Sequence, residues 1–329
     1  MLTAFAVADR GPVVVALPDV GTAGNSIADG VVWVDLHDPN ADEEKRAETF
    51  LGGLIPTREE TREIEFSSRF YVEDGVVVMT ASILVGVDDG TPALTPFSFA
   101  MAKNKIVTLR YADMKAFKLF LARAPKADSG CTSAPGVLGG LLEAFIDRSA
   151  DVVERIAQSV DQLNTEIFQP KTKGRHRGRV LAAAIGGLGI QGDLASKTRE
   201  SLASLERLVQ YAAAMLPDAS LKGGLSARLK LMLRDIRSLE DHVNFVLNKI
   251  TFMLDATLGL ISNEQNQVVS VLTVVSTILL PPMLIGTIYG MNFADMPELQ
   301  LPWAYPTAVT AMALSAVLPY VYFKWRGWL

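Results

Sequence analysis

Cysteine is nearly absent: Cys131 stands alone in 329 residues. A single thiol excludes an intrachain disulfide and fits a reducing compartment. Histidine is almost as scarce, and His37, His176 and His242 are scattered, so no Cys or His pair has the spacing of a zinc site. No local Ser, His and Asp arrangement announces a hydrolase either, and the chain is read as a non-enzyme. Nucleotide chemistry is present only in letters. The stretch GLGIQG, Gly187 to Gly192, satisfies G-x-G-x-x-G, but Val180 to Ile185 before it is alanine-rich and helical in pattern, and no later βαβ unit follows. Helix packing around small residues, or a helix break, is the expectation there, with no organic cofactor. The basic run Lys171 to Arg179 lacks interleaved aromatics and sits where two helices must be joined; it reads as a solvated loop and implies no nucleic-acid partner.

Charge is missing from two long stretches, Gln265 to Ala294 and Leu299 to Phe323. Each exceeds the roughly 20 residues that a helix needs to cross a hydrocarbon core about 30 Å thick. Two transmembrane helices are therefore expected, Val268 to Ile288 and Trp303 to Phe323. Basic residues are missing from the segment between them, which carries only Asp295 and Glu298, whereas Lys324 and Arg326 follow the second span. The positive-inside rule then places both termini in the cytoplasm and the connecting loop outside. The opening MLTAFAVADRGPVVVALPDVG has no basic n-region and does not read as a signal peptide. Trp303, Tyr305, Tyr320, Tyr322, Trp325 and Trp328 gather at the ends of the second span, as an interfacial belt would. A multi-pass protein of the cytoplasmic membrane, with membrane lipid as a partner, is the reading. The formal charge of −5 leaves a body that does not repel a cation.

Proline is absent from 218 to 280. Over this interval, LSARLKLMLRDIRSLEDHVNFVLNKITFMLDATLGLISNEQNQ leads into the first span with helical periodicity and one glycine, Gly259. A single helix from about Leu225 to Tyr289 would be close to 100 Å long. Upstream the pattern is mixed. VVWVDL, GVVVMTASILVGV, FSFAMA and KIVTLRY read as strands, NADEEKRAETFLGGL and TREETREIEFSS as helices, with Thr57 and Glu60 in a capping-box pattern. After Pro135 only helices are expected, Gly136 to Phe168 and Arg179 to Leu216. The fold class is thus an α+β membrane protein. It divides into an α/β domain at 1–134, cytoplasmic helices at 135–224, a stalk at 225–267, spans at 268–288 and 303–323, an outer loop at 289–302 and a tail at 324–329.

Two helices cannot enclose an aqueous path, so conduction would require several chains around an axis. The first span carries Ser270, Thr273, Ser276, Thr277 and Thr287 and is the more polar, which places it inside. Inward of Asn292, Met283, Leu280, Ser276, Leu272, Val269, Asn266, Ser262, Gly259 and Asp255 follow one another at three- and four-residue spacing on one face. That face would line a mostly uncharged tube with an amide at its outer end and an acid on the cytoplasmic side. An ordinary helical seam without conduction explains Leu280, Leu272 and Val269 equally well, but explains Asn292 and Asp255 poorly.

Tyr289 to Leu299, YGMNFADMPEL, resembles the signature of the CorA family of magnesium and cobalt transporters: Gly290, Met291 and Asn292 followed by Met-Pro-Glu-Leu. LRDIRSLEDH, LGLISNEQNQ, VVSTILLPPMLIGTIYGMNF, Tyr305-Pro306 and YVYFKWRGWL are similar to the family in order and spacing, and PTREETREIE and SSRFYVEDGVVVMTA look like its cytoplasmic domain. The resemblance implies a funnel-shaped homopentamer with an α/β/α cytoplasmic domain, a long-helix stalk and a pore lined by the first span. Gly290, Met291 and Asn292 would form the selectivity filter, five Asn292 amides meeting a hydrated divalent cation. Gly290 would permit close approach and a helix C-cap conformation. Leu272 and Val269 match a hydrophobic gate, Asp255 an acid facing the axis, and Met283 stands where some members carry a polar residue. Magnesium, possibly with cobalt and nickel, would be transported, and cytoplasmic magnesium bound by acids would hold the channel closed; Asp35, Asp88, Asp89 and Asp235 are candidates for that regulatory site. Asp295 and Glu298 would raise cation concentration at the outer mouth, hold the loop, or do no more than keep it solvated. A zinc-selective relative would share this architecture, but Gly-Ile-Asn would favour that branch and Met291 does not match it.

Overall fold

The computed structural model describes residues 1–8, 11–15, 27, 30–63, 65–124, 131–169, 175–216, 224–292, 297 and 301–327. The chain divides into two compact units, one made of 1–169 and 184–253, the other of 170–183 and 254–329.

The first unit begins with a seven-stranded sheet. Its strands are β1 (Leu2–Ala8), β2 (Gly11–Val15), β3 (Val31–His37), β4 (Phe70–Glu73), β5 (Val76–Val85), β6 (Ala93–Ala102) and β7 (Lys105–Arg110), in the order β2-β1-β3-β7-β6-β5-β4. Only β3 and β7 run parallel, with Asp35 opposite Thr108 and Leu36 opposite Leu109. Alternation sends Val34 and Leu36 to one face of β3 and Trp33 and Asp35 to the other. On the first face helix α1 (Ala41–Leu51) buries Ala47, Phe50 and Leu51 in a cluster with Val34, Leu36, Val78 and Val107. This helix starts at a capping box absent from the sequence reading: Asn40 Oδ1 accepts from the Glu43 amide at 2.9 Å while Glu43 Oε2 accepts from the Asn40 amide at 3.0 Å. It ends at Gly52, whose φ of 80° suits glycine.

The second face is aromatic. Phe5 stacks on Trp33 at 4.1 Å between centroids, and Trp33 meets the edges of Phe117 and Phe120 in α3 (Lys115–Arg123). Phe97 meets Phe145 of α4 (Ala134–Phe168) at 4.9 Å. The expected α/β/α layering follows. Helix α5 (Arg175–Met215) runs from one unit into the other, and its unit-one part covers the upper edge of β5, which has no partner beyond Met79 on the β4 side. There the Ser204 hydroxyl accepts from the Ser82 amide at 2.9 Å and the Ser201 hydroxyl from the Leu84 amide at 3.3 Å. Two edge amides are thereby satisfied by side chains instead of water.

One local expectation is corrected. TREETREIEFSS is not one helix but a short 3₁₀ turn, Glu60–Arg62, and one helical turn, α2 (Phe66–Arg69). The Thr57 and Glu60 capping box does form, with its two hydrogen bonds at 2.8 and 3.3 Å, yet it caps only that 3₁₀ turn. The N-terminal strands β1 and β2, unassigned from sequence, form an antiparallel hairpin on the sheet edge. Gly187 to Gly192 lies inside α5 with no break. A Cβ at Gly187 would stand 3.0 Å from Leu163 of α4, so at that glycine helix packing is the reason.

The long helix is α6 (Leu225–Tyr289), 65 residues with Pro281 and Pro282 inside it. In the first unit it buries Leu225, Leu229, Met232, Ile236, Val243, Val246, Ile250 and Met253. The spacing alternates largely between three and four residues, a stripe that keeps one side against its neighbours. The second unit holds its remainder, Leu254 onward, and α7 (Ala304–Trp325). Both helices are long and apolar enough to cross a membrane.

Candidate functional site

Within the second unit the two sides of α6 differ. At about 100° per residue, Val274, Ile278, Pro281 and Ile285 lie within about 40° of one direction, and Val269, Leu272, Ser276, Leu280 and Met283 within about 40° of the opposite one. The first group is buried or half-buried, with Val274 at 1% exposure. The second group is exposed throughout, with Leu272 at 61%. Asp255 and Asn266 are exposed as well. Helix α7 packs on α6 at Gly286, where an added Cβ would stand 2.8 Å from Met312 Cε. In this single chain, then, the face expected to line a path is the face α7 leaves open.

Polarity alone did not identify that face. The Thr273, Thr277 and Thr287 hydroxyls donate to the carbonyls of Val269, Thr273 and Met283 at 2.8 to 2.9 Å, four residues back. Thr307 and Thr310 of α7 do the same to Trp303 and Pro306. Such hydroxyls are satisfied within their own helix and tolerate hydrocarbon. The greater threonine content of the first span therefore does not by itself place it inside.

At the outer end, the Gly290 amide donates to Gly286 O at 3.0 Å and the Met291 amide to Ile288 O at 3.2 Å, and Met291 and Asn292 emerge exposed. Gly290 is not among the described glycines with left-handed φ, which corrects the expected C-cap conformation: the chain leaves the helix in a final tight turn without a left-handed residue. Asp295 and Glu298 lie outside the described residues.

The four acids considered for a regulatory metal differ sharply in setting, and all belong to the first unit. Asp35 is 2% exposed and faces the interior. Arg110 Nη2 stands 3.0 Å and Nε 3.1 Å from its Oδ2, and the Thr108 hydroxyl, which accepts from Trp33 Nε1 at 3.0 Å, donates to its Oδ1 at 2.8 Å. Burial pushes the Asp35 carboxyl up, opposed by the Arg110 guanidinium and its hydrogen bonds. Asp35 is thus a member of an internal ion pair rather than an open ligand. Asp88, in the β5–β6 turn, lies in a cleft of about 310 Å³ also lined by Asp89, Asp113, Lys115 and Arg148. Its oxygens meet Lys115 Nζ at 2.9 Å, Arg148 Nη2 at 2.8 Å and Arg155 Nη2 at 2.9 Å. Hydrogen bonds from Lys115, then Arg155 and Arg148, hold its carboxyl well below the usual carboxylate range. This three-cation clamp was not visible in the sequence, because its members come from three distant segments. Asp89 and Asp235 are exposed. Among the described residues of the chain, no group of three or more His, Cys, Asp or Glu side chains could hold a metal ion. The described acids of one chain are therefore not gathered into a magnesium site.

Two helices long and apolar enough to cross a membrane follow an α/β/α domain in sequence, and Asn292 stands exposed just past the end of the first of them, the build of a two-span membrane protein. The chain belongs to the CorA family: it matches the CorA-like Mg2+ transporter protein family over residues 28–325. It is 33% identical over 299 residues to the magnesium transport protein CorA of Escherichia coli K12, covering 91% of this chain and 92% of that one, and equally to that of Salmonella typhimurium. The complete structure of the CorA magnesium transporter from Methanocaldococcus jannaschii superposes with a TM-score of 0.74 at 19% identity, covering 100% of this chain and 99% of that one. The inner-membrane location and the fold expected from sequence stand with it.

Proposed function

We propose that the chain is a homopentameric channel that carries magnesium down its electrochemical gradient into the cytoplasm. The carrying observation is the open face of α6: Val269, Leu272, Ser276, Leu280 and Met283 are exposed on the side opposite Val274. Five copies turned face to face cover that stripe and leave a path along it. Five Asn292 amides then ring the outer mouth. Magnesium is bound by oxygen, dehydrates reluctantly and keeps its waters, so neutral amide oxygens accept hydrogen bonds from the hydrated ion without stripping it. A carboxylate ring would hold the dication more tightly and slow its departure.

Below the mouth Leu280, Leu272 and Val269 form a dry constriction that gates by excluding water. Asn266 and Asp255 follow toward the cytoplasm, where one acid per chain compensates the charge of the arriving ion. Met283 offers no oxygen, so a mid-pore polar ion site is not part of this reading. Cobalt and nickel share the path as hydrated divalent ions of similar size. Feedback by cytoplasmic magnesium belongs to acids contributed by different subunits; exposed Asp89 and Asp235 are available for it, whereas Asp35 is already paired with Arg110.

The test is magnesium entry into proteoliposomes under an inward gradient with low internal magnesium, followed by an enclosed magnesium-sensitive dye, with cobalt, nickel and zinc as competitors. Magnesium entry inhibited by cobalt and nickel is expected. Entry of zinc alone would favour the zinc-selective relative, and absence of any cation entry from assembled protein would leave a non-conducting scaffold.

A further inference from the structure

The ion path proposed above stops at Asp255, but the open side of α6 does not. In the first unit Asp241, Asn244, Asn248 and Thr251 are all exposed. At about 100° per residue they lie within about 40° of one direction, and the buried Val243, Val246, Ile250 and Met253 within about 40° of a direction roughly 160° round the helix. Each of the four exposed side chains carries an oxygen, and none is basic. The Thr251 hydroxyl donates to Leu247 O at 3.1 Å, which leaves its oxygen able to accept. Their spacing of three, four and three residues runs on by four to Asp255.

Apolar side chains border this stripe. Phe245 and Phe252, 62% and 65% exposed, stand on one flank, and half-buried Leu247 stands on the other. Large aromatics left in water within one chain mark a surface that another covers, and in the proposed assembly neighbouring copies of α6 cover it. A polar stripe between two apolar seams is what a helix presents when the seams meet its neighbours and the stripe faces the axis. Basic side chains around α6 are drawn to other acids. Arg177 pairs with Glu264 at 3.1 Å in the second unit; it is helical, because α5 begins at Arg175, which corrects in part the solvated loop expected there. Lys249 pairs with Asp161 of α4, and Arg237, the first cation on the stripe's own side and one turn before Asp241, pairs with Glu206 of α5 at 2.8 Å. Asn244 also borders a groove with Arg199 and Glu200 of α5, so the stripe proper is Asp241, Asn248 and Thr251.

We infer that Asp241, Asn248 and Thr251 extend the ion path below Asp255, as rings of oxygen that hydrated magnesium passes on its way to the cytoplasm, with Asp241 as the exit acid. The inference rests on the homopentameric channel proposed above. Amide and hydroxyl oxygens accept hydrogen bonds from the waters of an ion that dehydrates reluctantly, the chemistry proposed for Asn292 at the other end. Fourteen helical residues, about 21 Å of rise, separate Asp241 from Asp255. That exceeds the Debye length of about 8 Å in physiological salt, so each acid ring holds its own excess of cations and an ion is passed on rather than trapped between them.

The test is magnesium entry into proteoliposomes by full-length variants whose oligomeric mass is first confirmed by native mass spectrometry. Asn248→Leu should lower entry about tenfold, the effect of one leucine's apolar surface brought to a wetted ring. His242→Leu, exposed but on a different side of α6, should leave entry unchanged. Asp241→Asn should lower entry about threefold in about 0.01 M monovalent salt and not at all in about 1 M, where the Debye length has fallen from about 30 Å to about 3 Å. Cys131, the sole cysteine, is 1% exposed, so Asp241→Cys provides one accessible thiol. Its reaction with a sulfonate-bearing methanethiosulfonate, which returns the negative charge, should restore entry, and reaction with a trimethylammonium-bearing one should not. Parental entry by Asn248→Leu, an equal loss in His242→Leu, a loss in Asp241→Asn that ignores salt, or equal effects of the two reagents would each overturn the extended path, while entry by the parent leaves the channel standing. An assembled parent that admits no magnesium refutes the channel, and the extended path with it.

Discussion

Replacing Leu272 by asparagine should open the proposed gate. Moving a leucine side chain fully out of water is worth about 1.5 to 3 kcal/mol, and Leu272 is 61% exposed in the isolated chain. Roughly 1 to 2 kcal/mol per chain therefore opposes wetting of a leucine ring at this level, and five chains contribute in the proposed pentamer. Asparagine removes that penalty and supplies a donor and an acceptor. If only one of the five contributions is realised at the barrier, leak rises by about tenfold, since about 1.4 kcal/mol is a factor of ten. The assay is magnesium leak from proteoliposomes with high magnesium on both sides of the membrane, conditions that favour the closed population, read from a radioactive or stable magnesium isotope. Val274→Asn is the control on the opposite side of α6. Because Val274 is 1% exposed, its replacement should weaken assembly without raising leak. An assembled Leu272→Asn protein with the leak of the parent would refute the placement of Leu272 on the path, as would a Val274→Asn protein that leaks more than Leu272→Asn does.

Two further outcomes test the cytoplasmic unit. Arg110→Met leaves Asp35 buried among Trp33, Thr108 and the sheet, and should cost about 3 to 5 kcal/mol in chemical unfolding followed by circular dichroism; the double variant with Asp35→Leu should recover most of this, and equal loss in both would mean the pair is not coupled. Asp88→Asn should cost about 1 to 2 kcal/mol at neutral pH, the sum of three ion pairs each discounted because the Asp88 side chain is just over a third exposed. Its folded carboxyl is held below the ordinary value of 3.8 by Lys115, Arg155 and Arg148, so the native state binds fewer protons than the unfolded chain below that value. The contribution is present above pH 3.8 and is lost as pH falls toward the depressed value; parent and variant should converge in acid, and a constant difference down to pH 2 would contradict the clamp.

The long helix was legible because its signals are local and agree over many turns. The absence of proline and the apolar spacing predict Leu225 to Tyr289, and α6 has those bounds. The Gly-Met-Asn series was legible for a different reason, as an ordered set of residues shared with a family. What failed locally failed where a short segment is decided by its neighbours. TREETREIEFSS has the charge pattern of a helix, but before β4 begins at Phe70 it is split into a 3₁₀ turn and one separate helical turn. Asp35 looked available because an acid in a strand gives no sign of its partner 75 residues away. The parity of Trp33 with Asp35 and of Thr108 with Arg110 was the available signal, since paired strands put those side chains on one face. The open stripe on α6 is the reverse case. Periodicity proposed it, yet only the position of α7 at Gly286 tells which side of the helix remains uncovered.

The central claim is that Asn292 meets the hydrated ion, and magnesium entry by Asn292→Ala tests it most directly. The variant, reconstituted beside the parent and shown by native mass spectrometry to keep its oligomeric mass, should lose selective magnesium entry, because an alanine ring offers no side-chain oxygen to the waters of the ion. Magnesium entry at the parental rate, with unaltered discrimination against sodium and calcium, would show that the amide is not the filter.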